Sequence, residues 1–156
     1  MPSRSQTGNP WLVTNRVDPA VARMADDHYS RKTRGARQFA APGRVLVLYI
    51  PGACWPFRAD ACWVWWDGIR ADSFNGWWNN SLFRNEGCGW LSSRLIQDAV
   101  ALVLERWGEP PLGFDTYVDT RKIASTNPGY CYEKAGWRRG DRNKTGKLLR
   151  WYFNAS

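Results

Sequence analysis

The sequence predicts an α+β domain, close to α/β, built on one central mixed β-sheet flanked by helices. Three observations predict it. Short apolar or alternating runs recur along the chain, punctuated by Gly, Pro and Asp-Gly, as strands separated by turns do. One longer amphipathic stretch, residues 90–107, lies between the fourth and fifth strand-like runs and can carry a crossover between them. The chain has 156 residues, enough for one domain with a real core, and shows no internal repeat, linker or low-complexity tract. Residues 1–156 therefore read as a single domain, with residues 1–14 as a loose arm or edge strand.

The elements follow in order. Asp18-Pro19 reads as a helix N-cap followed by proline at the first helical position. Val21, Met24, Ala25 and His28 then fall on one helical face, and the helix is expected to end near Tyr29 or Ser30. Residues 31–43 form a basic loop. Residues 44–50 are a strand stopped by Pro51-Gly52, and residues 61–66 are a second, closed by Asp67-Gly68. Residues 81–84 form a short strand that runs into a glycine loop, with a polar turn before it. The helix at 90–107 presents Leu91, Leu95, Ala99, Leu102 and Val103 on its apolar face and stops at Gly108. Residues 112–118 are a strand that delivers Asp119 at its end. Asn127 is expected to cap a short helix that Gly136 closes. Residues 137–139 and 147–153 pair as the closing strands.

Composition narrows the function classes. The net charge is +8 and the basic residues cluster, in Arg31, Lys32, Arg34 and Arg37 and again in Arg138, Arg139, Arg142, Lys144, Lys147 and Arg150. Such a field favours a polyanion, double-stranded DNA above all, or an anionic donor cofactor. No run reaches the roughly 18 apolar residues of a spanning helix, so no membrane partner is expected. The N-terminus lacks an apolar signal core, which points to a cytoplasmic chain. The four cysteines contain no Cys-x-x-Cys pair and read as reduced thiols, not a zinc site or disulfide framework. The eleven tryptophans are far above ordinary usage. Trp63 and Trp65 read as core. Trp77 and Trp78, beside Asn75, Gly76, Asn79 and Asn80, suit either core or a base-stacking surface.

Two segments carry the chemistry. Arg84-Asn85-Glu86-Gly87-Cys88-Gly89 precedes the long helix. Gly87 and Gly89 allow a tight turn, and the amides of Gly87, Cys88 and Gly89 with Arg84 can hold an anion. Asn127-Pro128-Gly129-Tyr130-Cys131-Tyr132-Glu133-Lys134-Ala135-Gly136-Trp137 offers phenols for proton transfer. Tyr130 and Tyr132 lie two apart and cannot share a helix face. His28 is the one histidine, suited to act as a general base or metal ligand. Asp119 ends a strand, where α/β folds place functional side chains; a turn or cap role is the other reading. Asn80, Ser81 and Asn85 belong to an amide-rich run that can read a base edge.

These segments resemble those of the GNAT acyltransferases. That resemblance implies an acyl-coenzyme A pyrophosphate on residues 84–89 and Tyr132 as general acid. The set His28-Tyr29-Ser30, Asn80-Ser81-Leu82-Phe83-Arg84-Asn85, Asp119 and Asn127-Pro128-Gly129-Tyr130-Cys131-Tyr132 also resembles the Mom family of phage DNA-modification proteins, in order over residues 10–153. The resemblance implies a GNAT-like fold and transfer of a carbamoylmethyl group to N6 of adenine in DNA, shielding phage DNA from restriction. It also implies an iron associated with His28, Asp119 and Tyr130 or Tyr132, with Arg84 in the glycine-loop region. Tyr29, Ser30, Asn80, Ser81, Asn85, Arg31, Lys32, Arg34 and Arg37 would then face the DNA. Two other functions fit the same residues: an acetyl-coenzyme A-dependent N-acetyltransferase acting on a small amine or protein, and a DNA-binding module without catalysis.

Overall fold

The computed structural model describes residues 8–28, 31, 33–121 and 129–154. The expectations for Tyr29, Ser30, Lys32, Asn127 and Pro128 fall outside the described residues. Ten elements run in the order β1 (Leu12–Thr14), α1 (Pro19–Asp26), β2 (Arg44–Ile50), β3 (Ala61–Asp67), β4 (Trp77–Asn85), α2 (Ser92–Trp107), β5 (Gly113–Asp119), α3 (Tyr130–Lys134), β6 (Arg138–Arg142) and β7 (Leu148–Phe153). The strands form one sheet in the order β1-β2-β3-β4-β5-β7-β6. Only β4 and β5 pair in parallel, and α2 makes the crossover that a parallel pair requires. The α+β class with a mixed sheet is as the sequence predicts.

Strand β3 is central and buried on both faces, and its period-two alternation sorts two cores. Ala61, Trp63 and Trp65 pack with Leu95, Ile96, Ala99, Val103, Phe114 and Trp137 under α2 and α3. Cys62 and Val64 pack with Val21, Met24, Ala25, Val47 and Leu82 under α1. Trp63 and Trp65 are core, as expected. Trp65 donates its indole N–H to the Ala99 carbonyl at 2.9 Å, so its polar edge is satisfied inside α2. Trp78 is also core, set edge-on to Trp107 at 5.2 Å.

Helix α1 begins as predicted: Asp18 accepts from the Ala20 amide at 2.9 Å, with Pro19 opening the helix. It ends earlier, at Asp26. The Asp26 carboxylate accepts from the Gly35 amide and the Arg31 guanidinium, both at 2.9 Å, and so belongs to the following loop. Strand β4 begins earlier than the sequence suggests. Trp77, Trp78, Asn79 and Asn80 are strand residues paired with Gly113, Phe114, Asp115 and Thr116, not a turn. Helix α2 starts at Ser92, not Trp90. Helix α3 has its C-cap at Ala135, with Gly136 just beyond it at φ 97°.

On the face opposite α2, the paired part of β4, β5 and β7 carries an ionic cluster. Asp115 is fully buried and accepts from Arg70 at 2.7 Å, Arg150 at 2.9 Å and Asn79 at 3.1 Å. The Arg150 guanidinium lies over the rings of Phe74 at 3.8 Å and Trp77 at 4.5 Å. One carboxylate thus holds two buried cations against a sheet that would otherwise exclude them. Arg70 also pairs with Asp72, at 2.7 and 3.0 Å, so Asp115→Ala strands Arg150 without its counter-charge and should cost about 3–5 kcal/mol, measured by urea unfolding.

Candidate active site

Strands β4 and β5 stay paired only as far as Asn80 and Thr116. Beyond that point residues 81–85 and 117–119 run on without pairing to each other. The parting coincides with a β-bulge. Val64 lies opposite Leu82 and Trp65 opposite Asn80, so Ser81 is the extra residue in the β3–β4 register. The extra residue reverses the alternation: Leu82 turns to the α1 core, whereas Asn80 faces Tyr132 and Thr116.

A cleft of about 660 Å³ opens at this parting. Asp27, His28, Arg34 and Arg84 line one side and Gly129, Cys131 and Tyr132 the other, with Asn80, Ser81 and Thr116 between them. Asn80 is the pin at its base. Its Oδ1 accepts from the Tyr132 hydroxyl at 2.7 Å and lies 3.3 Å from the Thr116 hydroxyl. Its Nδ2 donates to the Val64 and Leu82 carbonyls at 3.2 and 2.8 Å. This amide is fully employed by the protein, which corrects its reading as a base-edge contact.

His28 stands two residues beyond the end of α1, with its amide donating to the Ala25 carbonyl at 2.9 Å. It lines the cleft instead of extending the helix's apolar face. Burial and the nearby Arg84 cation push its pKa down to about 4, so the imidazole is neutral at neutral pH and able to accept a proton. Arg84 donates to Glu86 at 2.6 Å and to the Asp27 carbonyl at 2.9 Å. Arg58 grips Glu86 with two 2.8 Å bonds, and the two arginines hold the Glu86 carboxyl below its usual range. Sequence reasoning missed Arg58 and Glu86 as parts of this wall.

Other predicted residues lie elsewhere. Asp119 is buried at the end of β5 and accepts from the Arg121 amide at 3.0 Å, the turn-cap role. Tyr130 is 52% exposed, with the Lys134 ammonium 5.8 Å from its ring centre. Neither lines the cleft with His28. Of the residues expected around an iron, Tyr132 lines the cleft with His28 whereas Asp119 and Tyr130 do not, and among the described residues no three His, Cys, Asp or Glu side chains form a metal-holding group. Arg31 is also spent on protein, binding Asp26 and the carbonyls of Gln38 and Ala36. Arg37 is exposed, and Arg34 lies in the cleft wall 3.4 Å from Asp27.

The glycine loop has the expected conformation, with Gly87 at φ 91° and Gly89 at φ 88°. Its amides are not directed outward as a set. Asn85 Oδ1 accepts from the Gly87 and Cys88 amides at 3.2 and 3.3 Å, and its Nδ2 donates to the Trp90 carbonyl at 3.0 Å and the Ser92 hydroxyl at 3.1 Å. Asn85 takes the place an anion would occupy, and Glu86 adds a negative charge beside it. A donor diphosphate held at this loop would have to displace Asn85 from the Gly87 and Cys88 amides.

The whole fold is similar to a solved structure described as "Crystal structure of a putative phosphinothricin N-acetyltransferase", with a TM-score of 0.51 at 14% identity, covering 94% of this chain and 98% of that one. No family model matches the chain, and no curated protein does. The chain has a GNAT-like fold.

The site's electrostatics make a prediction. An unfolded imidazole titrates near pH 6.5 and folded His28 near 4. Between those values the unfolded state binds more protons, so folding stability rises with pH up to about 6.5 and falls as the solution is acidified. His28 is the chain's one histidine. Urea midpoints measured between about pH 5 and 6.5, above the ordinary carboxylate range, should slope upward in the wild type and flatten in His28→Gln.

Proposed function

We propose that the chain is a group transferase that moves a small group from an anionic donor to an amine, and that the amine is N6 of adenine in double-stranded DNA. The product would be a carbamoylmethyl-type adenine that shields the DNA from restriction, as the resemblance to the Mom family implies. One observation carries the DNA half of this reading: the cleft opens at the end of the sheet where the basic clusters meet. Arg34 lines the cleft, and Arg142 reaches the Thr120 hydroxyl, just beyond β5, at 3.2 Å. The pairing of Asp119 with Leu148 puts the β6–β7 turn, with Lys144 and Lys147, at the same end of the sheet as the opening. Phosphates on either side of a target base would meet cations on both rims.

An exocyclic amine is not free for attack inside a duplex, so the target adenine leaves the stack and enters the cleft. N6 forms a bond to the donor carbon as the bond to the leaving group breaks. The proton released from N6 passes to neutral His28, and Tyr132 returns a proton to the leaving group after turning from Asn80. Arg34 and Arg84 hold negative charge at the cleft wall. Coenzyme A chemistry enters no step of this sequence.

The second reading is an acetyl-coenzyme A-dependent N-acetyltransferase acting on a small amine or protein. The fold likeness, which spans nearly both chains, favours it. The occupied amides of Gly87 and Cys88 weigh against it.

Mass spectrometry of nucleosides from plasmid DNA, taken from cells expressing the chain, separates the two. A modified deoxyadenosine should appear with the wild type. It should fall about 100-fold or more in His28→Ala, the loss typical of a missing general base. Unmodified DNA, together with acetyl-coenzyme A-dependent acetylation of an amine by the purified protein, would establish the second reading instead.

A further inference from the structure

The loop at residues 51–60 joins β2 to β3 at the end of the sheet where the cleft opens, because Ala61 lies opposite both Ile50 and Asn85. The loop is firmly anchored. Trp55 stacks on Tyr49 with ring centres 4.5 Å apart and planes 14° from parallel. Arg58 binds both Glu86 oxygens and Asp27, each at 2.8 Å, and Ala59 is buried under α1. Between these anchors stands Phe57, 63% exposed. Arg23 donates to the Phe57 carbonyl at 2.7 Å, and its guanidinium lies 4.1 Å from the ring centre. Asp27, which Arg58 grips, lines the cleft.

A ring held out by a rigid loop, with a guanidinium on one face and a second arginine at its base, sits beside a pocket sized for a base. Of the other exposed large side chains, Ile69 and Leu112 lie at the opposite end of the sheet, and Leu91 and Tyr130, next to the cleft-lining Ser92 and Cys131, have no arginine over an anchored ring as Phe57 has. Removing a base from a duplex leaves a gap whose neighbours have lost their stacking, and apolar wedges such as phenylalanine fill gaps of this kind. Arg23 is placed to meet a phosphate beside the ring, while Arg58, committed to Glu86 and Asp27, holds the loop in place. We propose that Phe57 is a wedge that enters the base stack of double-stranded DNA at the position the target adenine vacates. The assignment rests on the DNA reading above and adds a residue that acts on the duplex, not on the reacting atoms.

The test uses one oligonucleotide sequence in two forms, single-stranded and fully paired, incubated with the full-length chain in host-cell extract that supplies the donor. Modified deoxyadenosine is counted by mass spectrometry. Phe57→Ala should lower modification of the duplex at least tenfold more than modification of the single strand, and Phe57→Trp should restore the ratio. A Phe57→Ala chain that loses both activities equally, or neither, overturns the wedge while leaving the DNA reading intact. A wild-type chain that modifies neither form overturns both.

Discussion

The functional end of this molecule depends on the Asn80 side chain. A parallel pair of strands gains hydrogen bonds by staying paired, so its parting needs a reason. Here the bulge at Ser81 breaks the β3–β4 alternation, and the Asn80 amide satisfies the groups the bulge leaves over. The same amide receives the Tyr132 hydroxyl, which ties α3 to the point of parting. One side chain therefore sets where the cleft begins, how β4 leaves β5, and where the phenol stands. Its four contacts are buried, where an unmet polar group is costly, so the arrangement is closely determined.

The two ends of the β4–β5 pair are stabilised by different physics. At the closed end, Asp115 and Asp72 neutralise Arg70 and Arg150 beside the rings of Phe74 and Trp77. At the open end, Asp27 and Glu86 organise Arg34, Arg58 and Arg84 around His28 without filling the space in front of it. Burial, with the nearby Arg84 cation, keeps the imidazole unprotonated while the rim retains a positive character. A substrate that brings its own negative charge would offset Arg84 and raise the basicity of the imidazole, which is low in the empty cleft.

Much of the fold was legible in the sequence, because it rests on local signals. Asp18-Pro19 starts α1, Gly108 follows α2, and the alternation through Trp63 and Trp65 marks a strand buried on both faces. The first half of β4 was not legible. Asn79 and Asn80 carry turn chemistry, and only contacts with β5 and Asp115 make them strand residues. The bulge at Ser81 has no local signature, since its partners come from β3 and α3. Within the site, His28, Arg34, Arg84 and Tyr132 were found and do line one cleft. Asp119 and Tyr130 matched short motifs, yet a turn and an exposed helix start claim them. Asn85 was read as a contact to DNA and instead closes its own loop. Phe57 escaped notice because a Pro- and Gly-rich loop carries no periodicity.

The acceptor is the central claim, and equilibrium binding addresses it most directly. Fluorescence anisotropy of a labelled duplex, titrated with the purified chain over a range of salt concentrations, should show binding whose affinity falls linearly with salt on logarithmic axes, with a slope near −0.9 per phosphate contact. Absence of duplex binding, with acetyl-coenzyme A alone raising the melting temperature of the same preparation, would contradict the account.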